Sequence, residues 1–227
     1  MTTLVVAAHP DDEVLGCGGT IARLADQGRP VFIAIMGEGI TSRYEQRNQA
    51  SANELQSLKE KCHQAAELLG ARKIVFFDLP DNRLDSLPLL EVIKPLERLI
   101  STLKPDTVYT HHGGDLNIDH TIVHRAVLTA SRPQTNQCVK ALYTFEIPSS
   151  TDWAFGKFPP FFQPNTFVAI DEYLKIKIQA MQIYDTERRI FPHPRSPDAL
   201  ESVALRWGSI AGMKAAEAFE LVRMLEI

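Results

Sequence analysis

Residues 4–13 are Leu4-Val5-Val6-Ala7-Ala8-His9-Pro10-Asp11-Asp12-Glu13, an apolar run that ends in an imidazole, a proline and three carboxylates. A near-continuous apolar run with β-branched residues is typical of a strand buried on both faces of a parallel sheet. The polar residues follow where this strand should reach solvent. The stretch therefore predicts a buried first strand with a candidate functional site at its carboxyl end.

Strand-like and helix-like patterns alternate over the first two thirds of the chain. The patterns predict strands over 4–8, 31–36, 73–77, 107–110 and 142–145, and helices over 14–26, 45–69, 89–103 and 120–130. Such alternation is typical of βαβ units, whose helices cover both faces of a parallel sheet. Three further helices are predicted over 171–184, 197–207 and 213–225. The sequence therefore predicts an α/β fold with a parallel sheet.

Composition narrows the class of protein. The chain has 227 residues, of which 44% are hydrophobic and 23% charged, and this suits one domain over 1–227 with a sizeable core. The net charge is −4 without a basic cluster, which argues against broad nucleic-acid binding. No apolar run approaches the roughly 20 residues of a membrane span. No signal peptide is visible, and three cysteines without a CxxC pair indicate reduced thiols, so we expect a cytoplasmic protein.

The segment 148–168 is rich in Pro, Phe and Ser and is predicted to form a long loop. Long loops of this kind are often functional. We therefore expect residues 148–227 to be a C-terminal substrate or lid extension of the same domain. The Phe-rich segment is a candidate either for a lid or for the interface of a homo-oligomer, and the sequence does not decide between them.

A second polar cluster follows the fourth predicted strand, over 111–120. Catalytic zinc takes three protein ligands and keeps one position for water. His9 and Asp12 are three residues apart at a strand end and can converge on one ion, with His120 as the third ligand. Asp11 lies between the first two, so it should face the water or the substrate. A metal-activated water with a neighbouring carboxylate base is suited to the hydrolysis of an amide.

Other interpretations of these motifs are simpler. Asp11-Asp12-Glu13 could be an ordinary helix start, since carboxylates favour a first turn. Gly16-Cys17-Gly18-Gly19 is a poor phosphate loop because three acidic residues precede it. His124 is better explained as a packed or supporting residue than as a ligand. His111 and His112 emerge from a strand end and are expected to line the site, although one of the two could be purely structural.

The motif 8–13, together with Asp119-His120, resembles the PIG-L/LmbE-like N-deacetylases, which are zinc enzymes that remove acetyl from N-acetylglucosaminyl groups. The likeness covers the N-terminal two thirds. Segments 146–150, 193–196 and 216–219 are similar to one bacterial subgroup often linked to surface-glycan or nucleotide-sugar metabolism. The resemblance implies a Rossmann-like three-layer sandwich with a mostly parallel central sheet.

The resemblance also implies roles for individual residues. His9, Asp12 and His120 correspond to the zinc ligands and Asp11 to the general base. Many members have a histidine that assists the oxyanion where this chain has Asn117, and asparagine carries no proton. We therefore expect His193, from the C-terminal region, to supply that function.

The remaining expected site residues are Asp119, which would orient a neighbouring histidine as part of the catalytic set, and five residues that would bind substrate. The expected substrate-binding residues are Arg43, His112, Asn117, Glu13 and Glu146. Arg43 could contact the sugar or an attached phosphate, or be an ordinary surface residue.

The leading functional hypothesis is a zinc-dependent N-deacetylase of an N-acetylglucosamine-type amino sugar or its conjugate. A His/His/Asp site would also accept Fe²⁺ or Co²⁺. The alternatives are a metal-dependent amidase or decarbamoylase with another small-molecule substrate, and a non-catalytic module that binds a metal or a sugar. The sequence leaves open whether the acceptor is a free sugar, a nucleotide sugar, a glycolipid or a glycoside.

Overall fold

A computed structural model describes residues 1–135 and 137–226, and it shows one seven-stranded sheet with helices on both faces. The strands are β1 (Thr3–Ala7), β2 (Val31–Gly37), β3 (Lys73–Leu79), β4 (Thr107–His111), β5 (Ala141–Phe145), β6 (Thr166–Ala169) and β7 (Ala216–Met224). The helices are α1 (Asp12–Asp26), α2 (Ala52–Leu68), α3 (Leu89–Leu103), α4 (Ile118–Ala130), α5 (Leu174–Ile183) and α6 (Pro197–Ala211). None of the helices among the described residues is both long and apolar enough to cross a membrane.

The sheet order is β3-β2-β1-β4-β5-β7-β6. The first five of these strands are parallel, whereas β7 runs antiparallel to both β5 and β6. The prediction of an α/β fold with a mostly parallel central sheet is therefore confirmed. The strand order reverses beside β1, because β2 lies on one side of it and β4 on the other.

The apolar run of the first strand is explained by burial on both faces. Val5 belongs to the core between the sheet and α1, α2 and α5, while Leu4 and Val6 belong to the core beneath α3 and α4. All three side chains are almost fully buried. Period-two alternation sends neighbouring residues to opposite faces, so an apolar residue is needed at each position of this central strand.

Helix α1 is interrupted at Cys17, whose φ of −150° and ψ of 26° are not helical. Beside the interruption, the carboxylate of Glu217 accepts hydrogen bonds from the backbone N–H groups of Gly19 and Thr20, at 2.9 and 2.7 Å. Lys177 donates to the Leu15 carbonyl at 2.9 Å and pairs with Glu217 at 2.6 Å. A buried ion pair therefore satisfies backbone groups on both sides of the break.

The structure corrects two boundaries of the sequence prediction and one element type. The predicted helix over 213–225 is wrong, because this segment contains strand β7, which pairs with β5 and β6. The helix predicted over 45–69 begins only at Ala52, after two short 3₁₀ turns at Thr41–Arg43 and Arg47–Gln49. The segment 148–168 is largely irregular, as expected, but it ends in β6.

Candidate active site

The two polar clusters meet at the carboxyl ends of neighbouring parallel strands. His9 follows β1 and the 111–120 segment follows β4, and these two strands are paired. In open α/β sheets, ligands bind outside the carboxyl ends of the strands at the point where the strand order reverses. Both clusters lie at this point of the sheet, which makes it the candidate site.

Three side chains converge there as a candidate set of metal ligands. His9 Nδ1 and His120 Nε2 each lie 3.3 Å from the same oxygen, Oδ2 of Asp12. One ligand atom from each of the three residues lies within 4.8 Å of the others. A first-row divalent ion with bonds of about 2.0–2.1 Å in tetrahedral geometry separates its ligand atoms by about 3.3–3.4 Å. The donor types and spacings therefore fit such an ion.

The far side of each imidazole faces a carboxylate. Nε2 of His9 lies 3.0 Å from Oδ2 of Asp119, and Nδ1 of His120 lies 3.2 Å from Oδ1 of Asp115. Asp119 is held in turn by the backbone N–H of Leu84, at 3.0 Å. Metal-binding histidines usually donate their second ring N–H to a carboxylate, which fixes the ring orientation. Both histidines are therefore oriented as metal ligands are.

The charges within this set shift the pKa values of Asp12 and His120 in opposite directions. Burial alone would raise the pKa of Asp12, but the charges of His120 and His111 and hydrogen bonds from His120 and His9 hold it well below its usual range. Burial lowers the pKa of His120, yet the charge of Asp12 and contacts with Asp115 and Asp12 raise it to about 9 overall. Asp12 is thus held in its ionised form, and its surroundings favour a positive charge beside it.

Asp11 is the cap residue of α1 and has a left-handed backbone, with φ of 92°. This region is unfavourable for a residue with a Cβ, and such conformations cluster at functional sites. Oδ2 of Asp11 accepts a hydrogen bond from Nη1 of Arg195 at 2.8 Å, and no hydrogen bond among the described residues involves Oδ1. Burial raises the pKa of the Asp11 carboxyl although the charge of Arg195 opposes this. One carboxylate oxygen is therefore anchored and the other is available.

A cavity of about 180 Å³ opens beside these residues. Of the expected site residues, those that line it are His9, Asp11, Asp12, Arg43 and Asn117. Sites for drug-sized ligands usually measure about 300–1,000 Å³. The cavity therefore has room for a small polar group, while a larger ligand would extend beyond it.

Arg43 and Asn117 both have partners at the wall of this cavity. Nη2 of Arg43 forms an ion pair with Glu187, which lies in the C-terminal part of the chain. Asn117 caps α4 through Oδ1, which accepts the N–H of Asp119 at 2.9 Å, and its Nδ2 donates to Oδ1 of Asn82 at 2.8 Å. The C-terminal part thus contributes directly to the cavity wall.

Six of the expected residues do not line this cavity. His120 and Asp119 belong to the arrangement of ligands described above, and the other four have partners elsewhere. His112 is buried between Glu220 and the Pro160 carbonyl, each 2.8 Å from one ring nitrogen. Glu146 accepts a hydrogen bond from the indole of Trp207, at 2.6 Å. The other two are Glu13, whose carboxylate contacts the Tyr184 hydroxyl and the Asp11 N–H, and His193, whose Nδ1 accepts the Arg195 N–H. This geometry does not support substrate contact by His112, Glu146 and Glu13. It does not support catalysis by His193 either, so both roles stay predictions.

Sequence reasoning missed several residues of the site. Arg195 is two residues from His193, within the segment 193–196, but nothing in the local sequence shows that it reaches Asp11. Asp81 Oδ1 lies 3.4 Å from His9 Nε2. Asp81 follows the end of β3, and this position could have indicated that it belongs to the site. His111, by contrast, was expected at the site; it is fully buried, and its Nε2 accepts the Ala8 N–H at 2.7 Å. Its ring stacks on His120 with centroids 4.0 Å apart, so it supports a ligand from behind.

The fold and this arrangement of histidines and carboxylates define an α/β protein with a candidate metal site at the carboxyl ends of its central strands. The family model PIG-L, described as GlcNAc-PI de-N-acetylase, matches residues 4–131. This match spans more than half of the chain and both polar clusters. The chain belongs to the PIG-L family.

Curated relatives agree with this assignment, and a solved structure shares the fold. An uncharacterized deacetylase of Escherichia coli, YaiS, is 28% identical over 79% of this chain and 88% of its own length. The diacetylchitobiose deacetylase of Thermococcus kodakarensis is 28% identical over 96% of this chain and 82% of its own length. The 4-carboxy-2-hydroxymuconate hydratase of Pseudomonas putida shares the fold, with a TM-score of 0.77 and 23% identity over 100% of this chain and 98% of that one.

Proposed function

We propose that this protein is a metal-dependent hydrolase that removes the N-acetyl group from an N-acetylglucosamine-type amino sugar or sugar conjugate. The observation that carries the proposal is the position of Asp11 beside the convergent set of His9, Asp12 and His120. Binding of a metal alone does not need a further carboxylate with one available oxygen. Membership of the PIG-L family and a relative named as a diacetylchitobiose deacetylase support the same substrate class.

His9, Asp12 and His120 would hold the ion, for which we propose zinc. When bound, such an ion lowers the pKa of water and supplies positive charge near a carbonyl oxygen. Asp11 would take a proton from the attacking water through Oδ1 and return it to the amide nitrogen as the C–N bond breaks. The products are an amine and acetic acid, which ionises at neutral pH.

The cavity also supports a sugar as the substrate. Its volume of about 180 Å³ suits an acetamido group with part of one ring, so the rest of a conjugate would lie outside. Glu187 and Arg195 both line it, which supports the prediction that residues 148–227 form the substrate-facing part of a single domain. The cysteines Cys17, Cys62 and Cys138 are all free, and this supports our proposal that the protein acts in the cytoplasm.

The test is acetate release from N-acetylglucosamine, its disaccharide and its nucleotide-linked form by zinc-loaded protein. Asp11→Asn should abolish release while zinc stays bound in a one-to-one ratio. Asp78→Asn is a matched control, because Asp78 also has a left-handed backbone, with φ of 53°, but lies on the exposed surface beside Lys59. This control should release acetate at the wild-type rate.

Other outcomes would favour the alternatives. Release of a different acid from a panel of amides and carbamoyl compounds would replace the deacetylase with another amidase. Tight binding of metal and sugar without turnover, equal in wild type and Asp11→Asn, would identify a binding module. Wild-type protein that holds no divalent metal would refute the proposed role of the ligand set.

A further inference from the structure

The proposed hydrolysis places negative charge on the amide carbonyl oxygen as water adds to the carbonyl carbon. A donor group that is already aimed at this oxygen lowers the barrier, and removal of one such donor typically reduces kcat by about 10²–10³-fold. This need is pronounced here, because Asp11, Asp12, Asp81 and Glu187 line the cavity and would repel an oxyanion. A cationic side chain at the cavity wall would offset this repulsion alongside the charge of the proposed ion.

Asn117 is already committed to other partners. Its carbonyl oxygen caps α4, and its amide nitrogen donates to Asn82. Turning the amide toward a substrate would break both contacts and leave the first turn of α4 without its cap. A cap of this kind stabilises a helix by about 1 kcal/mol. Asn117 is therefore a structural residue rather than a donor to the reacting group.

His193 is poorly placed as well. Nδ1 accepts the Arg195 N–H at 3.1 Å, its ring packs against Trp153, and it is not among the residues that line the cavity. Burial, together with the charges of Arg195 and Arg189, lowers the pKa of this imidazole, so it is neutral at physiological pH. Its geometry and charge both argue against an oxyanion-stabilising role.

Arg195 has the required charge and position. Nε donates to the Ser149 hydroxyl and Nη1 to Asp11 Oδ2, both at 2.8 Å, so the guanidinium plane is fixed at two points. Arginine has five N–H donors, and Nη2 has no hydrogen-bond partner among the described residues. The side chain lines the cavity with Asp11. Arg43, the other arginine of the cavity wall, is more exposed and paired with Glu187.

We propose that Arg195 is the oxyanion-stabilising residue of this enzyme, in place of the histidine that Asn117 replaces, and that it anchors the general base. This inference depends on the proposed deacetylase function. As the water oxygen bonds to the carbonyl carbon, the carbonyl π electrons move to oxygen and Arg195 donates a hydrogen bond to it. Asp11 holds the water proton on Oδ1 while Arg195 keeps Oδ2. The C–N bond then breaks, the proton passes to nitrogen, and amine and acetic acid leave.

The experiment compares Arg195→Ala with wild type on N,N′-diacetylchitobiose, with zinc loading and thermal unfolding as checks of integrity. We expect kcat to fall about 10²–10³-fold and KM to change less than about threefold, because the interaction forms only in the transition state. Added ethylguanidinium should restore part of kcat. The loss should be smaller on the N-trifluoroacetyl analogue, whose carbonyl is more electrophilic, and a merely structural role would not produce that difference.

Two matched variants separate the explanations. Arg188→Ala removes an exposed arginine of the same segment and should keep kcat within about threefold. Arg195→Lys retains the charge but lacks the planar fork, so kcat should fall at least tenfold; this variant decides the question if Arg195→Ala does not fold.

Wild-type kcat in Arg195→Ala or Arg195→Lys, or a change in KM alone, would overturn the assignment while the deacetylase function stands. Absence of acetate release by wild type would instead refute the proposed function, and this inference with it.

Discussion

Replacement of Glu217 by alanine should destabilise the fold more than any nearby surface substitution. The carboxylate is 4% exposed and accepts three hydrogen bonds, from the N–H groups of Gly19 and Thr20 and from Nζ of Lys177. Lys177 is itself only 6% exposed. Its second contact is the Leu15 carbonyl, on the other side of the interruption in α1.

The magnitude follows from what the substitution leaves behind. Removal of one partner from a buried ion pair typically costs about 3–5 kcal/mol, because the remaining charge is uncompensated. A buried N–H group without a partner costs about 1–3 kcal/mol, although water that enters the new space can satisfy part of this. We therefore expect Glu217→Ala to lower the free energy of unfolding by about 3–5 kcal/mol, a large share of the roughly 5–15 kcal/mol of a typical domain.

The assay is equilibrium unfolding in urea, with Glu201→Ala on the exposed face of α6 as the control; that control should stay within about 0.5 kcal/mol of wild type. The double variant Glu217→Ala with Lys177→Met should be more stable than the sum of the single effects predicts, by about 1 kcal/mol or more. A loss below about 1 kcal/mol in Glu217→Ala, or strict additivity in the double variant, would refute the reasoning.

Three further predictions concern other parts of the molecule. Asp115→Asn should weaken zinc binding about 10–100-fold in a competition titration with a chelator, since Asp115 orients His120, and unchanged affinity would contradict this. Burial raises the pKa of Glu146 to about 7 from an ordinary 4.5, so ionisation of this carboxyl disfavours the folded state. The free energy of unfolding should therefore fall as pH rises from about 4.5 to 7. Glu146→Gln should remove up to about 3 kcal/mol of that fall, measured by urea titrations at pH 5 and 8. Gly16→Ala would put a Cβ 2.3 Å from Cδ2 of Phe145, and it should lower the free energy of unfolding by about 1–3 kcal/mol. An unchanged melting temperature would contradict this prediction.

Much of the fold follows from local patterns, because the central strands are buried on both faces. Such strands are continuous apolar runs that stand out from amphipathic helices, as in residues 4–8. Strand β7 was missed because Ala216-Glu217-Ala218-Phe219-Glu220-Leu221 consists mostly of good helix formers. Pairing with β5 and β6 overrides this local preference, and no single segment of sequence contains that information.

Part of the candidate site can likewise be predicted from local sequence, and part cannot. His9, Asp11 and Asp12 are neighbours in sequence, and the rule that ligands bind at the carboxyl ends of strands links them to His120. Arg195 is 184 residues from Asp11 and lies in an irregular segment, so no periodicity or spacing identifies it. Its contact depends on how the C-terminal segment packs against the sheet edge, which only the three-dimensional structure reveals.

The reversal of strand order beside β1 has an implication for engineering. The three candidate metal ligands and Asp11 lie in the first turns after β1 and β4, anchored to the most deeply buried strands. The outer wall of the cavity comes partly from separate connecting segments, represented by Arg43 and Asn82. Under the proposed deacetylase function, grafting such segments between members of the family should change selectivity for the acceptor while the candidate ligands, Asp11 and Arg195 stay in place, so these segments are the natural units for combinatorial libraries.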